Sequence, residues 1–449
     1  MKKKVVDTAV ETPVVEVPKT PGFEIARDAF ARAFAEVSKA VPGKTTLPVL
    51  RNVLLKGDHE RGLVDLTATN LELTLKSRLA NVAVGADFVT TSPAVTMNAV
   101  LGNWGSPNIQ VGYNPRTVTL SINGGAGKAN VKGISAEEFP TTYMQMDGNF
   151  GEGISFEIPY NLLDQIVKRV AVAARKDDAR PVLAGVHIHR IGENLIAEAA
   201  NGYTLSRAVF AAPNGMEGVD VIVPMPFIKL AASLHNSGNM VILQEVLKEG
   251  QPPTPLKISF RTISDEVTAP LISGNYPKID HVIPDKTKVE VTVSASTLRT
   301  ALKRAGIMNG ELKLVTFTVN VGGQEIRLNS VDEDLGSHEE SIPCSVTGES
   351  IVFAANGGYF TNAIDAVNGQ DVVIGINTPS SPIVVTAQGE PGHTFVVMPM
   401  KIENTAPPIR NANATPVEPV AAPEPVVEEE VTVLDGSSEP ASEPVEDPA

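Results

Sequence analysis

The chain has 449 residues and a net charge of −15, from 52 acidic against 37 basic side chains. A length of this order predicts about three domains, and the single cysteine, Cys344, excludes a disulfide framework and a cysteine-based metal cluster. No apolar run approaches the roughly 18 residues of a membrane-spanning helix. The basic residues 1–4 are followed by Asp7 and Glu11 rather than by an apolar stretch, so we expect a soluble protein that is not exported.

A strand signal followed by an amphipathic run occurs three times along the chain. The three copies begin at Phe23, Phe156 and Val289, each 133 residues after the one before it. Apolar residues at helical spacing follow each start, which predicts one helix with a buried face per copy. The tripeptide Pro-Val-Leu, at Pro48 and again at Pro181, repeats the spacing of 133 residues. The sequence therefore predicts a module of about 130 residues that is used three times.

Taken in order, the chain divides into five segments. Residues 1–21 are predicted to form a flexible arm, residues 22–150 module one, 151–285 module two, 286–403 module three, and 404–449 a disordered tail. Second helices are predicted near residues 97–104, 226–235 and 359–367, so each module has two helices and a larger number of short strands. This is an α+β plan.

The tail differs from the modules in composition. It has nine prolines, ten acidic residues and one basic residue. Such a segment buries too little apolar surface to offset its ordering entropy. It holds −9 of the total charge of −15, which leaves −6 for the rest of the chain, so the net charge alone does not exclude a nucleic-acid partner.

The motifs that could support chemistry are weak. His187 and His189 face the same side of a predicted strand, but a zinc site needs three or four ligands and no third ligand lies near them in the sequence, so we expect a structural or surface role. The glycine-rich residues 124–127 lack the Gly-Lys-Ser/Thr ending of a phosphate loop and predict a hairpin turn. Residues 332–334 also predict a turn between strands. With no nucleophile motif present, we expect a non-catalytic protein without metal or cofactor.

Basic residues recur on the first helix of every module or just after it. They are Arg27, Arg32 and Lys39 in module one, Lys168, Arg169, Arg175 and Lys176 in module two, and Arg299, Lys303 and Arg304 in module three. On one helix alone, such a cluster is most simply a solvated face. Three equivalent helices favour a common surface that faces phosphates, if the modules are arranged about an axis. Contacts of this kind are electrostatic and independent of base sequence.

Five segments resemble the bacterial sliding clamp, the beta subunit of DNA polymerase III. They are Val396-Val397-Met398-Pro399-Met400-Lys401-Ile402, Thr45-Thr46-Leu47-Pro48-Val49-Leu50-Arg51-Asn52, Ala136-Glu137-Glu138-Phe139-Pro140, Arg180-Pro181-Val182-Leu183-Ala184-Gly185-Val186 and Gly274-Asn275-Tyr276-Pro277. The resemblance covers about residues 22–403, with its segments in the order of the family.

The resemblance implies the DNA clamp fold, in which three tandem domains each have two helices packed on β-sheet. Two chains of the family join head to tail into a ring of six domains with the helices inside. The ring encircles duplex DNA and tethers the replicative polymerase without catalysing a reaction, and partners such as the clamp loader bind through short peptides. Lys44 joins the residues that face DNA, and Ile307 and Met308 are implied as apolar contacts of the homodimer.

The resemblance also implies a cleft between the second and third domains for partner peptides, roughly Gln-Leu-x-Leu-Phe. Carried over by position, this cleft consists of Leu183, Gly202, Tyr203, Leu205, Pro277, His281, Val282, Asn356, Tyr359, Ser381, Val397, Met398, Pro399, Met400 and Lys401. A groove rich in methionine can accept several related peptides.

The sequence departs from the family at the rim of the cleft. The family's Thr-Asp-Gly-His-Arg-Leu is Ala-Asn-Gly-Tyr-Thr-Leu at residues 200–205, and two common arginines are His281 and Lys401. With the two tails, these changes indicate a divergent member and are consistent with a phage-encoded one, acting in the cytoplasm of a bacterial or infected cell. The alternative is a clamp-fold scaffold or binding protein that no longer loads on DNA.

Overall fold

A computed structural model describes residues 21–140, 153–177, 179–245, 254–311 and 313–401. The predicted acidic tail lies outside these ranges, as do residues 1–20 of the predicted arm. No helix in the described ranges is both long enough and apolar enough to cross a membrane.

Module one begins with a strand that leads directly into a helix. Its elements are β1 (Gly22–Ala26), α1 (Arg27–Ser38), β2 (Asn52–Asp58), β3 (Leu63–Thr69), β4 (Thr74–Leu79), β5 (Ala83–Ala86), β6 (Phe88–Pro93), α2 (Ala94–Gly102), β7 (Asn108–Asn114), β8 (Thr119–Gly124) and β9 (Gly127–Lys132). Helix α1 buries Phe30, Phe34 and Val37, which confirms the stripe predicted from its spacing. The turn between β8 and β9 confirms the hairpin predicted at residues 124–127.

Module two repeats this order with one strand fewer between its two helices. Its elements are β10 (Ile154–Ile158), α3 (Tyr160–Gln165), β11 (Gly185–Ile191), β12 (Asn194–Ala200), β13 (Thr204–Ala211), β14 (Asp220–Pro224), α4 (Met225–Ser233), β15 (Gly238–Glu245), β16 (Thr254–Arg261) and β17 (Asp265–Pro270). After α3 the chain continues as a π-helical turn, Ile166–Val170, and a 3-10 turn, Ala171–Ala173. The hydroxyl of Ser206 in β13 donates to the Arg169 carbonyl of the π turn at 2.7 Å.

Module three has the same plan with an additional short strand. Its elements are β18 (Val289–Ser294), α5 (Ala295–Ala305), β19 (Leu314–Asn320), β20 (Glu325–Asp332), β21 (Gly336–Pro343), β22 (Ser345–Thr347), β23 (Ile351–Asn356), α6 (Gly357–Val367), β24 (Asp371–Ile376), β25 (Ile383–Ala387) and β26 (Glu390–Val397). The turn predicted at residues 332–334 is the link between β20 and β21.

The three second helices are confirmed, but each begins one to three residues earlier than predicted. They start at Ala94, Met225 and Gly357. The preceding strands run into them without a loop, so no turn residue marks the boundary in the sequence. At α6 the Asn356 side chain accepts from the amides of Gly358 and Tyr359, which is the usual role of an N-cap residue.

Two of the four sheets formed by the described strands cross from one module into the next. The eight-stranded sheet has the order β10-β15-β16-β17-β4-β3-β2-β6, and the nine-stranded sheet the order β14-β11-β12-β13-β26-β25-β24-β18-β22. The junctions are antiparallel, with Thr268 opposite Thr74 and Thr204 opposite Val397. The other sheets, β5-β1-β7-β8-β9 and β21-β20-β19-β23, lie within modules one and three.

The six helices found in the described residues form one continuous row. In each module the two helices pack on each other: α1 on α2, α3 on α4 and α5 on α6. Between modules, Lys39 at the end of α1 donates to the Ser233 carbonyl of α4 at 3.2 Å, and the π turn after α3 packs on α6. The row is therefore α2-α1-α4-α3-α6-α5, which places the basic first helices along a single surface.

Candidate functional site

The predicted basic residues lie along the helix row and in the segments that follow its helices. Arg32, Lys168, Lys303 and Arg304 are exposed, whereas Arg27, Arg169 and Arg299 are half-buried. Lys44, Arg175 and Lys176 lie in the segments after α1 and after the 3-10 turn of module two.

Many of these basic groups are paired with carboxylates inside the chain. The pairs are Arg27–Asp28 at 3.1 Å, Lys39–Glu36 at 2.6 Å, Lys168–Asp164 at 2.8 Å, Arg169–Glu390 at 3.4 Å, Arg175–Asp177 at 2.5 Å, Arg299–Asp365 at 2.5 Å and Arg304–Glu340. The hydrogen bond that Lys168 donates to Asp164 raises the pKa of Lys168, and the hydrogen bond that Arg304 donates to Glu340 raises the pKa of Arg304. Exposed pairs of this kind contribute little stability, so phosphate oxygens can replace their carboxylates at small cost.

One exposed basic residue of the helix row was not predicted from the sequence. Lys229 is exposed on α4, close to Lys39 across the junction of modules one and two, where both line the same groove. The prediction from the sequence was limited to the first helix of each module and the segment after it. The position of α4 next to α1 is a consequence of the fold and has no signal in the local sequence.

The structure brings the predicted cleft residues together at the junction of modules two and three. Strand β13 pairs with β26, and the Met398 amide donates to the Tyr203 carbonyl at 2.8 Å. The Met400 amide donates to the Ala354 carbonyl of β23, also at 2.8 Å. This bond holds residues 398–400 beside the start of α6, where Tyr359 lies.

The floor of the cleft is a separate apolar cluster. Leu183, Ala200, Leu205, Ile279 and Val396 are buried in it, with Val182, Tyr276, Val282 and Ile283 half-buried against it. Leu183, Leu205 and Val282 are predicted cleft residues. Val182 is the neighbour of Leu183 in the turn before β11. The other members were missed because they come from β12, β26 and the connector between β17 and β18 (residues 271–288), which meet only in three dimensions.

The remaining cleft residues surround this cluster. Gly202 has φ +94° in the β12–β13 turn, where the Asn201 side chain accepts from the amides of Tyr203 and Thr204. Val397 is buried opposite Ile383. Ser381 lies two residues before Ile383, and its hydroxyl donates to the Thr378 carbonyl. Pro277, His281 and Lys401 are exposed, and Pro399 is half-buried.

The predicted dimer contacts lie at the end of α5. Ile307 is 65% exposed, and Met308 is half-buried. The Ser330 hydroxyl of β20 donates to the Ala305 carbonyl at 2.9 Å, which holds this segment against the β20–β21 hairpin. Two further exposed apolar residues lie on that hairpin, Val331 and Leu335. They were not predicted, because the alternation of polar and apolar residues along a hairpin does not show which of its faces is buried.

The prediction that no third ligand accompanies the two strand histidines is wrong. Strand β11 pairs with β12 so that His187 lies opposite Glu198, and the ligand atoms of His187, His189 and Glu198 lie within 4.8 Å of one another. Eleven residues of sequence separate His187 from Glu198, and only the register of the hairpin brings them together.

Comparison with known families agrees with this architecture. The N-terminal, central and C-terminal domains of the DNA polymerase III beta subunit match residues 22–143, 157–278 and 280–401. The chain belongs to the DNA polymerase III beta subunit family. The clamp fold, the family and the function of a DNA sliding clamp predicted from the sequence are confirmed. The clamp is a non-catalytic processivity factor of DNA polymerase III.

Several relatives show how far this clamp has diverged. It is 27% identical over 390 residues to the beta sliding clamp of Synechocystis, which covers 82% of this chain and 96% of the relative. A Caulobacter crescentus clamp structure matches with a TM-score of 0.75 at 23% identity and covers 85% and 99% of the two chains. A Bartonella birtlesii clamp structure, bound to griselimycin, matches with a TM-score of 0.75 at 22% identity and covers 85% and 100%.

Proposed function

We propose that two copies of this chain close head to tail into a ring, with the helix row facing duplex DNA and the cleft between modules two and three holding peptides of partner proteins. The ring would tether the replicative polymerase and be placed on DNA by a clamp loader. We place this activity in the cytoplasm of a bacterial cell or of an infected host.

The observation that carries the proposal is the pattern of strand edges. At the two internal junctions, β17 of module two pairs with β4 of module one, and β26 of module three pairs with β13 of module two. Strand β9 is the last strand of module one and corresponds to β17 and β26. Strand β21 is the third strand after the first helix of module three and corresponds to β4 and β13. In the described sheets, both edges are unpaired.

Two copies related by a twofold axis can pair these edges reciprocally. Strand β9 of each copy would then add to β21 of the other, which repeats the junction already used twice in the chain and closes six modules into a ring. Closure also protects edges that otherwise favour aggregation.

The side chains at the two edges are complementary. Lys128 and Lys132 are exposed on β9, and Glu339 is exposed on β21. Beside β21 lie the exposed apolar residues Ile307, Val331 and Leu335. A charged strand pair next to an apolar contact is a composition suited to a specific dimer.

The helix row supports the DNA contact. Most of its basic side chains are flexible and lie at the surface. Their partners are exposed or half-buried carboxylates of the same chain. Contacts with phosphates would release counterions and fall steeply with salt. A ring needs only such weak contacts, because its retention on DNA is topological.

The charge of the row can be tested with a double variant, Lys168→Glu with Lys303→Glu. Primer extension with the polymerase of the same cell should lose processivity by about tenfold, since two phosphate contacts per chain become repulsive. Lys56→Glu on β2, an exposed lysine outside the row, is the matched control and should leave processivity unchanged. Equal processivity in the double variant and the control would reject the DNA-facing assignment.

A further inference from the structure

A cluster of metal-ligand side chains lies on one face of module two, outside the surfaces described above. His187 and His189 alternate along β11 with the buried Val186 and Ile188, so the imidazoles project from the face opposite the core. We propose that His187, His189 and Glu198 form a binding site for a divalent transition metal ion of the zinc class.

The three side chains converge because of strand pairing. His187 lies opposite Glu198 in the β11–β12 pair, and the His187 and His189 rings stack with centroids 4.4 Å apart. One ligand atom from each of the three residues lies within 4.8 Å of the other two. Two imidazole nitrogens and one carboxylate oxygen are a recurring zinc ligand set, with water in the fourth position.

The hydrogen bonds around His187 leave a position that suits a cation. The Nε2 atom of His187 is 2.8 Å from Asp220 Oδ1, so Nε2 carries a proton and donates it. In the neutral ring the lone pair of Nδ1 then faces Glu198 Oε2 at 3.3 Å. Two lone pairs that face each other at this distance need a positive charge between them, which either a second proton on His187 or a metal ion supplies.

The third ligand adds to the same requirement. The Nδ1 atom of His189 is buried and has no hydrogen-bond partner among the described residues. A buried polar atom without a partner is uncommon in native structures and is often explained by a bound ion. In the tautomer of His189 that carries its proton on Nε2, the cluster contains three acceptors and, apart from a second proton on His187, no donor to share among them.

Surrounding residues hold the ligands in the way that metal sites require. Asp220 fixes the tautomer of His187, as in carboxylate–histidine–zinc arrangements. Arg207 donates to Glu198 Oε1 at 2.5 Å and leaves Oε2 for the ion. The Tyr276 ring stacks on His187 with centroids 4.8 Å apart and covers one side.

The site is linked to the cleft between modules two and three. Arg207 also donates to Asp280 at 2.7 Å, in the connector turn next to Val282. Tyr276 packs against the apolar cluster that forms the cleft floor. A bound ion would therefore stiffen the connector under the cleft.

The ligand set points to zinc rather than to calcium or magnesium. Imidazole nitrogen favours zinc, nickel, cobalt and copper, whereas calcium and magnesium prefer oxygen ligands throughout. Glu198 and Asp220 contribute two negative charges beside His187 and Arg207 contributes one positive charge, so the net charge next to the ion is −1. This low charge also disfavours a hard cation that needs several carboxylates.

The test uses untagged full-length protein that has been stripped with a chelator. Calorimetric titration with Zn²⁺ near pH 7.5 should show one site per chain with a dissociation constant of roughly 1 μM or tighter, and Co²⁺ should give the visible spectrum of a low-coordinate site. His189→Ala should weaken Zn²⁺ binding by about 100-fold, and Asp220→Asn by about tenfold.

The matched control is His338→Ala, which removes another histidine that lies beside a carboxylate, Glu340. It should bind Zn²⁺ like the original chain. Binding weaker than about 100 μM in the original chain, or equal binding by His189→Ala, would overturn the proposal and leave His187 as an imidazolium held by its two carboxylates. Circular dichroism reports whether His189→Ala folds; if it does not, the exposed Asp220→Asn variant decides the question.

Discussion

The ring of Tyr203 in module two stacks on the ring of Tyr359 in module three, with centroids 6.0 Å apart and planes 20° from parallel. Tyr203 is 62% exposed, although it lies at the seam where β13 pairs with β26. An exposed aromatic pair beside an apolar cluster is a typical anchor for an apolar peptide side chain.

We expect Tyr203→Ala to weaken binding of a peptide of the form Gln-Leu-x-Leu-Phe by about tenfold, because one face of the anchor is lost. Fluorescence anisotropy with a labelled peptide measures this affinity. Tyr160→Ala, which removes a half-buried tyrosine at the start of α3 whose ring packs at a tilt against His235, is the control. Equal affinities for the two variants would place the peptide elsewhere.

We expect Ile307→Asp to convert the dimer into monomers at micromolar concentration, since a charge would replace an apolar contact at the proposed interface. Sedimentation velocity measures the oligomeric state. Ile191→Asp changes an isoleucine of similar exposure, 59% against 65%, at the end of β11, and should leave the dimer intact. A dimeric Ile307→Asp protein would contradict the proposed ring contact.

We expect Asp164→Asn to tighten DNA binding by a few fold at low salt. The change frees Lys168 from a 2.8 Å ion pair, so one more cation per chain can reach a phosphate. The slope of log affinity against log salt should steepen by up to about 1. Asp58→Asn breaks a pair with Arg61 in the β2–β3 turn and should change neither quantity, which separates a local effect from a change in net charge.

We expect His393 to make the clamp less stable in acid. Burial, together with the charge of Arg169, lowers the pKa of His393 to about 4. Its Nε2 donates at 2.9 Å to the Ser206 hydroxyl, since that hydroxyl gives its own proton to the Arg169 carbonyl. Its Nδ1 is buried without a partner among the described residues, so a second proton there would have no acceptor. In the unfolded chain the pKa is about 6.5, and the stabilisation is therefore complete above that pH and lost as the pH falls towards 4.

Between pH 7 and pH 5 this group should cost about 2 kcal/mol of unfolding free energy. Thermal unfolding at the two pH values measures the loss, and His393→Gln should reduce it. His281→Gln, at an exposed position on the connector, should keep the original dependence. An undiminished loss in His393→Gln would show that other groups cause the acid sensitivity.

The sequence predicted most of what depends on local periodicity. The helical spacing of Phe30, Phe34 and Val37 identified α1, and the equal starts at Phe23, Phe156 and Val289 identified the three modules. The π turn after α3 was not predicted, because its residues continue the apolar spacing of an ordinary helix. The predicted module boundaries remain predictions.

The parts that could not be predicted depend on distant pairing. Glu340, 36 residues after Arg304, neutralises a basic group that the sequence alone presents as free. Glu198 meets His187 only through the register of β11 and β12, and Val396 reaches the cleft floor through its pairing with Leu205. Such contacts have no local signal, whereas the resemblance to a known family placed the cleft residues as a set.

The closed ring is tested most directly by threading it onto linear DNA. A duplex is attached to a bead at one end and incubated with the clamp, the free end is capped with a bulky protein, and the bead is washed at about 1 M salt, where phosphate contacts are screened. A closed ring predicts that the clamp survives the wash only on capped DNA and is released when the duplex is cut. Loss at the wash on capped DNA would contradict a closed ring and favour a clamp-fold scaffold that binds DNA by charge alone.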